Sequence, residues 1–292
     1  MTDEFVKLTA TDAGAEIARG AISAEDYTRA CLDRIEAVDG EIKAFVHLDR
    51  EHALAQARRL DERRAQGHSL GPLHGIPVAI KDIIDTADYP TELGSPIGGG
   101  RRPRHDATVV AKLRAAGAVI IGKSVTTEFA YYHPGPTRNP HDHARTPGGS
   151  SSGSAAAVAA RMVPLALGSQ TNGSVIRPAA FCGVFAVKPS HGLVSRAGVL
   201  PLSRKLDHIG AFARSLPDLA LILETPGDAT RQAEDPRSFR NIVSRTLQRA
   251  DDHFPFDLLD GRCEVHGHVA GARHKTTLRS GVRRRRGSSQ IR

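Results

Sequence analysis

Two hydroxyl-rich segments and one lysine hold the residue types that could do covalent chemistry. The run GGSSSGS at 148–154 opens onto an alanine-rich helical stretch, so free backbone N–H groups and the hydroxyls of Ser150, Ser151 and Ser152 would face whatever lies in front of the helix. By composition alone the same run is a flexible linker. It also contains G-x-S-x-G centred on Ser151, the spacing of a nucleophile elbow, but that turn needs a strand directly before its serine, and residues 141–147 (HDHARTP) are no strand. The segment GSQTNGSVIRP at 168–178 sets Ser174 between apolar runs and reads on its own as a tight turn. Lys81 ends the apolar run IPVAI; alone it is a surface lysine snorkelling at a strand end, with the adjacent Asp82 as its ion-pair partner. Cys182, in AFCG, reads as a small core residue rather than a nucleophile. The fourteen histidines include no H-E-x-x-H pair, and His141 and His143 in a Pro-rich loop read as solvated side chains.

Such residues need elements to hold them. Ser23 followed by Glu25 and Asp26 reads as a helix start, with Tyr27, Ala30, Cys31, Ile35 and Val38 at helical spacing and Gly40 as the close. Residues 43–48 read as a short strand and 51–66 as a strongly charged helix ending before Gly67. The apolar runs 76–80 and 118–122 read as buried strands, joined by a helix over 107–116 that Asp106 caps. Residues 133–154 change to Pro, Gly, His, Asn and Ser and read as a loop, after which 155–162 (AAAVAARM) has strong helix propensity. Strands are expected at 163–167 and 183–187, and a last helix from Ser215 with Pro217 in its first turn. Buried strands alternating with helices predict an α/β sheet.

Composition removes several classes of function. The 292 residues suit one large domain or two small ones, and 40% hydrophobic content is enough for a core. Aromatics are 4% with no Trp, which argues against a base-stacking platform, and no apolar run approaches the roughly 20 residues of a membrane-spanning helix. The acidic start of the chain lacks the order of a signal peptide, and three scattered cysteines without C-x-x-C suggest neither a disulfide framework nor a zinc site. The expected compartment is the cytoplasm, with no metal and no cofactor. The formal charge of +8 is mostly a property of residues 226–292, which carry 14 Lys and Arg against 8 Asp and Glu. The four arginines at 283–286 lack interleaved aromatics, so nucleic acid is not the expected partner.

Taken together, the two serine segments and the strand-end lysine resemble the amidase signature family of serine amidohydrolases. The resemblance covers about residues 5–224. It rests on GGSSSGS, on SQTNGSVIRPAAFCG at 169–183, on the turn Lys188-Pro189-Ser190, and on the flanking runs HGIPVAIKDIIDT (74–86), RAAGAVIIGK (114–123) and PTRNP (136–140). Ser174 lies 24 residues after Ser150 and 93 after Lys81, as in the family's Ser-Ser-Lys triad. The resemblance implies a mixed twisted β-sheet covered by helices, with Ser174 as nucleophile, Ser150 as bridging serine, Lys81 as base, and a cis peptide between Gly149 and Ser150. It also implies an oxyanion hole from the backbone N–H groups of Thr171, Asn172, Gly173 and Ser174; Asn172 stands where many relatives have glycine, and Asn tolerates unusual φ. The chemistry is sound: a serine hydroxyl needs a base within reach, and a lysine can serve if burial keeps its amine neutral. Arg177 could bind a substrate carboxylate or form a salt bridge under the loop.

The resemblance fails near Thr225. Family members run well beyond 400 residues, so the expectation is a partial amidase-signature domain over 1–224, with the C-terminal part of the fold missing and 225–292 an Arg-rich, poorly ordered or unrelated tail. The leading function is a metal-free amidohydrolase acting on small carboxamides through an acyl-enzyme, with a homodimer among the assemblies open to it. One alternative is the glutamine-hydrolysing subunit of a tRNA-dependent amidotransferase. Another is a catalytically inactive member whose basic tail binds polyanions.

Overall fold

A computed structural model describes residues 2–68 and 70–225; the sequence reading of the tail lies outside the described residues. The chain opens with α1 (Thr2–Phe5) and α2 (Ala10–Ala18), the latter capped by the Thr9 hydroxyl. Then come α3 (Ala24–Ile42), capped by Ser23 as expected, β1 (Phe45–Leu48) and α4 (Arg50–Ala65). α3 runs through Gly40 and ends where Lys43 turns left-handed, with φ 57°. A glycine on a solvated face costs the helix little against the side chains that pack on either side of it.

The centre follows as β2 (Pro77–Lys81), α5 (Thr108–Ala115), β3 (Val119–Ser124), α6 (Ser152–Ala159), β4 (Leu165–Gln170), α7 (Ile176–Cys182), β5 (Phe185–Val187), β6 (His208–Ala213) and α8 (Leu216–Glu224). Among the described residues these strands form one mixed sheet in the order β1-β3-β2-β4-β6-β5. β2 is parallel to both β3 and β4, while β1, β6 and β5 join antiparallel. β2 and β3 are buried along their whole length and β4 over its first four residues, so each opens as an apolar run before the polar residues at its carboxyl end. The α/β class and the mixed, helix-covered sheet are as expected. No helix among the described residues is long and apolar enough to cross a membrane.

Several local expectations differ. α5 takes no cap from Asp106, whose carboxylate instead accepts the Ala87 N–H and pairs with Arg114. α6 begins at Ser152 rather than Ala155 and stops before Arg161, which has φ 59°. Its polar first turn is held from outside: Gly153 N–H donates to the Val125 carbonyl at 2.9 Å, and Ser154 Oγ contacts the Leu167 carbonyl and Ser124 Oγ at 2.8 Å each. The segment read as part of a turn at 176–178 starts α7, where Pro178 sits among N–H positions that a helix start leaves unpaired. β6 had no distinct signal in the sequence. α8 starts at the Ser215 cap as predicted.

Candidate active site

Neighbouring parallel strands leave a crevice beyond their carboxyl ends, and the chemistry-bearing residues meet there, past β2 and β4. Strand alternation decides which of them can meet. Ile80 lies beside Lys123 and Lys81 beside Ser124, so Lys81 projects to the face that α6 covers, while its neighbours Ile80 and Asp82 project to the other. Asp82 is therefore not the partner of Lys81. It lies 3.5 Å from Lys123 Nζ and accepts the N–H groups of Glu92 and Gly94.

Lys81 has no exposed surface. Its Nζ donates to Ser150 Oγ at 2.7 Å and to Ser169 Oγ at 2.9 Å. Burial drives its amine well below the ordinary lysine range, and the Asp207 carboxylate opposes that shift only in part. Ser150 is itself buried, and the peptide joining it to Gly149 is cis. The two serine loops are tied together where Ser151 N–H donates to the Ser174 carbonyl at 3.3 Å. Ser151 faces away from any reaction: its Oγ donates to the Ser169 carbonyl and accepts the Ser169 N–H.

Ser174 is half-buried in a strap, residues 171–174, between β4 and α7. The Gln170 side-chain oxygen accepts the N–H groups of Val175 (2.9 Å) and Ile176 (3.0 Å), drawing the strap's end back onto β4. Thr171 Oγ1 donates to Asp207 Oδ1 at 2.5 Å. The left-handed residue is Gly173 (φ 88°) and not Asn172, so the asparagine needs no special conformational tolerance. Among the described residues, none of the N–H groups of Thr171, Asn172, Gly173 and Ser174 is drawn into a hydrogen bond. Arg177 is exposed and has no carboxylate partner among the described residues; its Nη2 donates to the Asn172 carbonyl at 2.5 Å. A cavity of about 340 Å³ adjoins the strap, lined in part by Ser169, Thr171, Arg196, Asp207 and His208.

The site thus brings Lys81, Ser150 and the strap of Ser174 together. Two participants have no role in the sequence reading. Ser169 sits inside the very segment that held Ser174, where a polar residue near a strand end was a signal within reach. Asp207 lies far along the chain in KLDHIG, with no local pattern to mark it. Cys182 is buried with its thiol pushed up to about 12, which leaves it protonated. His141 is not simply solvated: its Nε2 lies 2.9 Å from the Cys182 carbonyl.

The family model for amidases matches residues 26–251. The chain is 51% identical over 256 residues to a subunit of the glutamyl-tRNA(Gln) amidotransferase of Chloroflexus aurantiacus, a match covering 84% of this chain and 53% of that protein. Among solved structures it resembles the native peptide amidase of Stenotrophomonas maltophilia, with a TM-score of 0.74 and 37% identity over 82% of this chain and 53% of that one. It also resembles a chain of a vestigial protein complex bearing on the origins of an s-triazine catabolic enzyme. There the TM-score is 0.73 and the identity 43%, over 79% of this chain and 51% of that one. The chain spans about half the length of the curated relatives it matches.

Proposed function

The chain belongs to the amidase family, and on that premise we propose that it hydrolyses a carboxamide C–N bond through a triad of Ser174, Ser150 and Lys81. Ser174 Oγ attacks the carbonyl carbon while its proton passes to Ser150 Oγ, which hands its own proton to the neutral Lys81 amine. The oxyanion that forms is met by the N–H groups of Thr171, Asn172, Gly173 and Ser174. Collapse breaks the C–N bond as the proton returns through Ser150 to the leaving nitrogen, which departs as ammonia or an amine. Water then repeats the relay on the acyl ester, releasing the acid and restoring Ser174. Arg177, exposed beside the strap, is in this reading the residue that meets a carboxylate on the substrate.

One observation carries this reading: a fully buried lysine amine 2.7 Å from the Ser150 hydroxyl, with its charge disfavoured by its surroundings. Intact-mass analysis after treatment with a fluorophosphonate tests it without knowledge of the substrate. A single adduct at Ser174, absent from Ser174→Ala, is expected; a folded chain that takes no adduct would overturn the reading.

The 51% identity to a component of a glutamyl-tRNA(Gln) amidotransferase favours a second reading, in which the same chemistry releases ammonia from glutamine for a protein partner. Glutaminase activity that rises when such partners copurify is its test. In either reading we expect a cytoplasmic protein.

A further inference from the structure

We propose that Asp207 is the positioning residue of this site: through the Thr171 hydroxyl it fixes the strap that carries Ser174 and the oxyanion donors, and it supplies the carboxylate of the cavity that Ser169, a hydrogen-bond partner of Lys81, also lines. The proposal rests on the amide-hydrolase reading above and adds a residue to it. Asp207 is tied on both sides. Its Oδ1 accepts the Thr171 hydroxyl at 2.5 Å, while its Oδ2 accepts the N–H groups of Leu202 and Ser203 at 2.8 Å each. The carboxylate is thus locked to its own turn by two backbone donors, and its free oxygen reaches across to the strap. Gln170 holds the other end of that strap by its amide oxygen, so the four N–H groups lie between two side-chain anchors. A strap held at one end alone would let those donors drift, and displacement of about 1 Å can cost 10²-fold in rate.

The second half of the proposal is electrostatic. Lys81 Nζ contacts Ser169 Oγ, and Ser169 lines the same cavity as Asp207. Arg196, Arg204 and His208 also line it, and all are cationic or neutral, so Asp207 is the anion there among the described residues. Burial lowers the Lys81 amine well below the ordinary lysine range, and the Asp207 carboxylate opposes that shift. The same carboxylate that aligns the donors therefore limits how far the base falls in strength.

Selectively ¹³Cε-lysine-labelled full-length chain, with the Lys81 resonance assigned by Lys81→Ala, separates the two effects. In Asp207→Asn the Lys81 titration midpoint should move to lower pH. In Asp207→Glu, which keeps the charge, it should stay at the wild-type value, as it should in Thr171→Val, which removes only the hydroxyl. Fluorophosphonate labelling of Ser174 well above all midpoints should slow by about 10–10²-fold in both Asp207→Asn and Thr171→Val. An unmoved Lys81 midpoint in Asp207→Asn, or wild-type labelling rates in Asp207→Asn and Thr171→Val, would overturn the proposal. A wild-type chain that never labels, but whose Lys81 midpoint still follows the Asp207 charge, would overturn the amide-hydrolase reading and uphold the Asp207–Lys81 coupling.

Discussion

Lys81 and Lys123 stand one strand apart, both without exposed surface, and differ in what surrounds them. Lys123 keeps an acid partner, Asp82, along with the Ile84 and Pro90 carbonyls and the Thr91 hydroxyl, and its amine is pushed down to about 8. Lys81 has two serine hydroxyls as its hydrogen-bond partners, an arrangement suited to holding and passing a proton rather than a fixed charge. Between the folded value of each amine and the unfolded value of about 10.4, the unfolded chain binds the extra proton, so both lysines make stability rise with pH across that window. Lys81→Met should flatten part of that rise, seen as a smaller difference between urea midpoints at pH 7 and pH 10 than in wild type. The same substitution should slow fluorophosphonate labelling of Ser174 by about 10²–10⁴-fold, the usual worth of a general base. Labelling by the wild type should gain with pH along an acid limb set by Lys81, and Lys81→Met should lose that limb.

At the scale of elements, the contact between α6 and the sheet is what brings Ser150 to Lys81. α6 approaches β3 so closely that a methyl group on Gly153 would stand 2.2 Å from the Ala44 carbonyl oxygen and 2.4 Å from the Val125 nitrogen. Both are backbone atoms with no side-chain freedom to yield, so Gly153→Ala should cost about 3 kcal/mol, read as a lower urea midpoint with unchanged slope. Displacing α6 also moves Ser150, so labelling should fall together with stability. This approach was illegible in the sequence, where Gly153 was one of several small residues in a run composed like a linker. The strands themselves were legible, because a parallel strand covered on both faces is an apolar run whatever its partners are. β6 was not, because its pairing with β4 and β5 is long-range and its short apolar stretch is interrupted by Gly210, a residue that weakens a strand signal.

Over the whole described molecule, the two ends of the fold clasp one another. Buried Asp218, in the first turn of α8, accepts the N–H groups of Ala10 and Thr11 and the Thr11 hydroxyl, so it caps α2 from more than 200 residues away. Arg214 adds hydrogen bonds to the Val6, Leu8 and Val163 carbonyls. Asp218→Ala would leave these donors without an acceptor at a cost of about 3 kcal/mol, with Asp218→Asn milder because one acceptor oxygen remains. Denaturant unfolding measures the loss, and limited proteolysis should show earlier cleavage within residues 2–18. By itself the sequence determined the class of fold, the family and the three residues expected to do chemistry, because apolar runs, caps and short motifs are local properties written in neighbouring residues. The tertiary structure alone decided that Asp82 serves Lys123 rather than Lys81, that Ser169 and Asp207 join the site, and that Gly173 takes the left-handed turn. These depend on strand parity and on contacts between distant segments, which exist only once the sheet has formed.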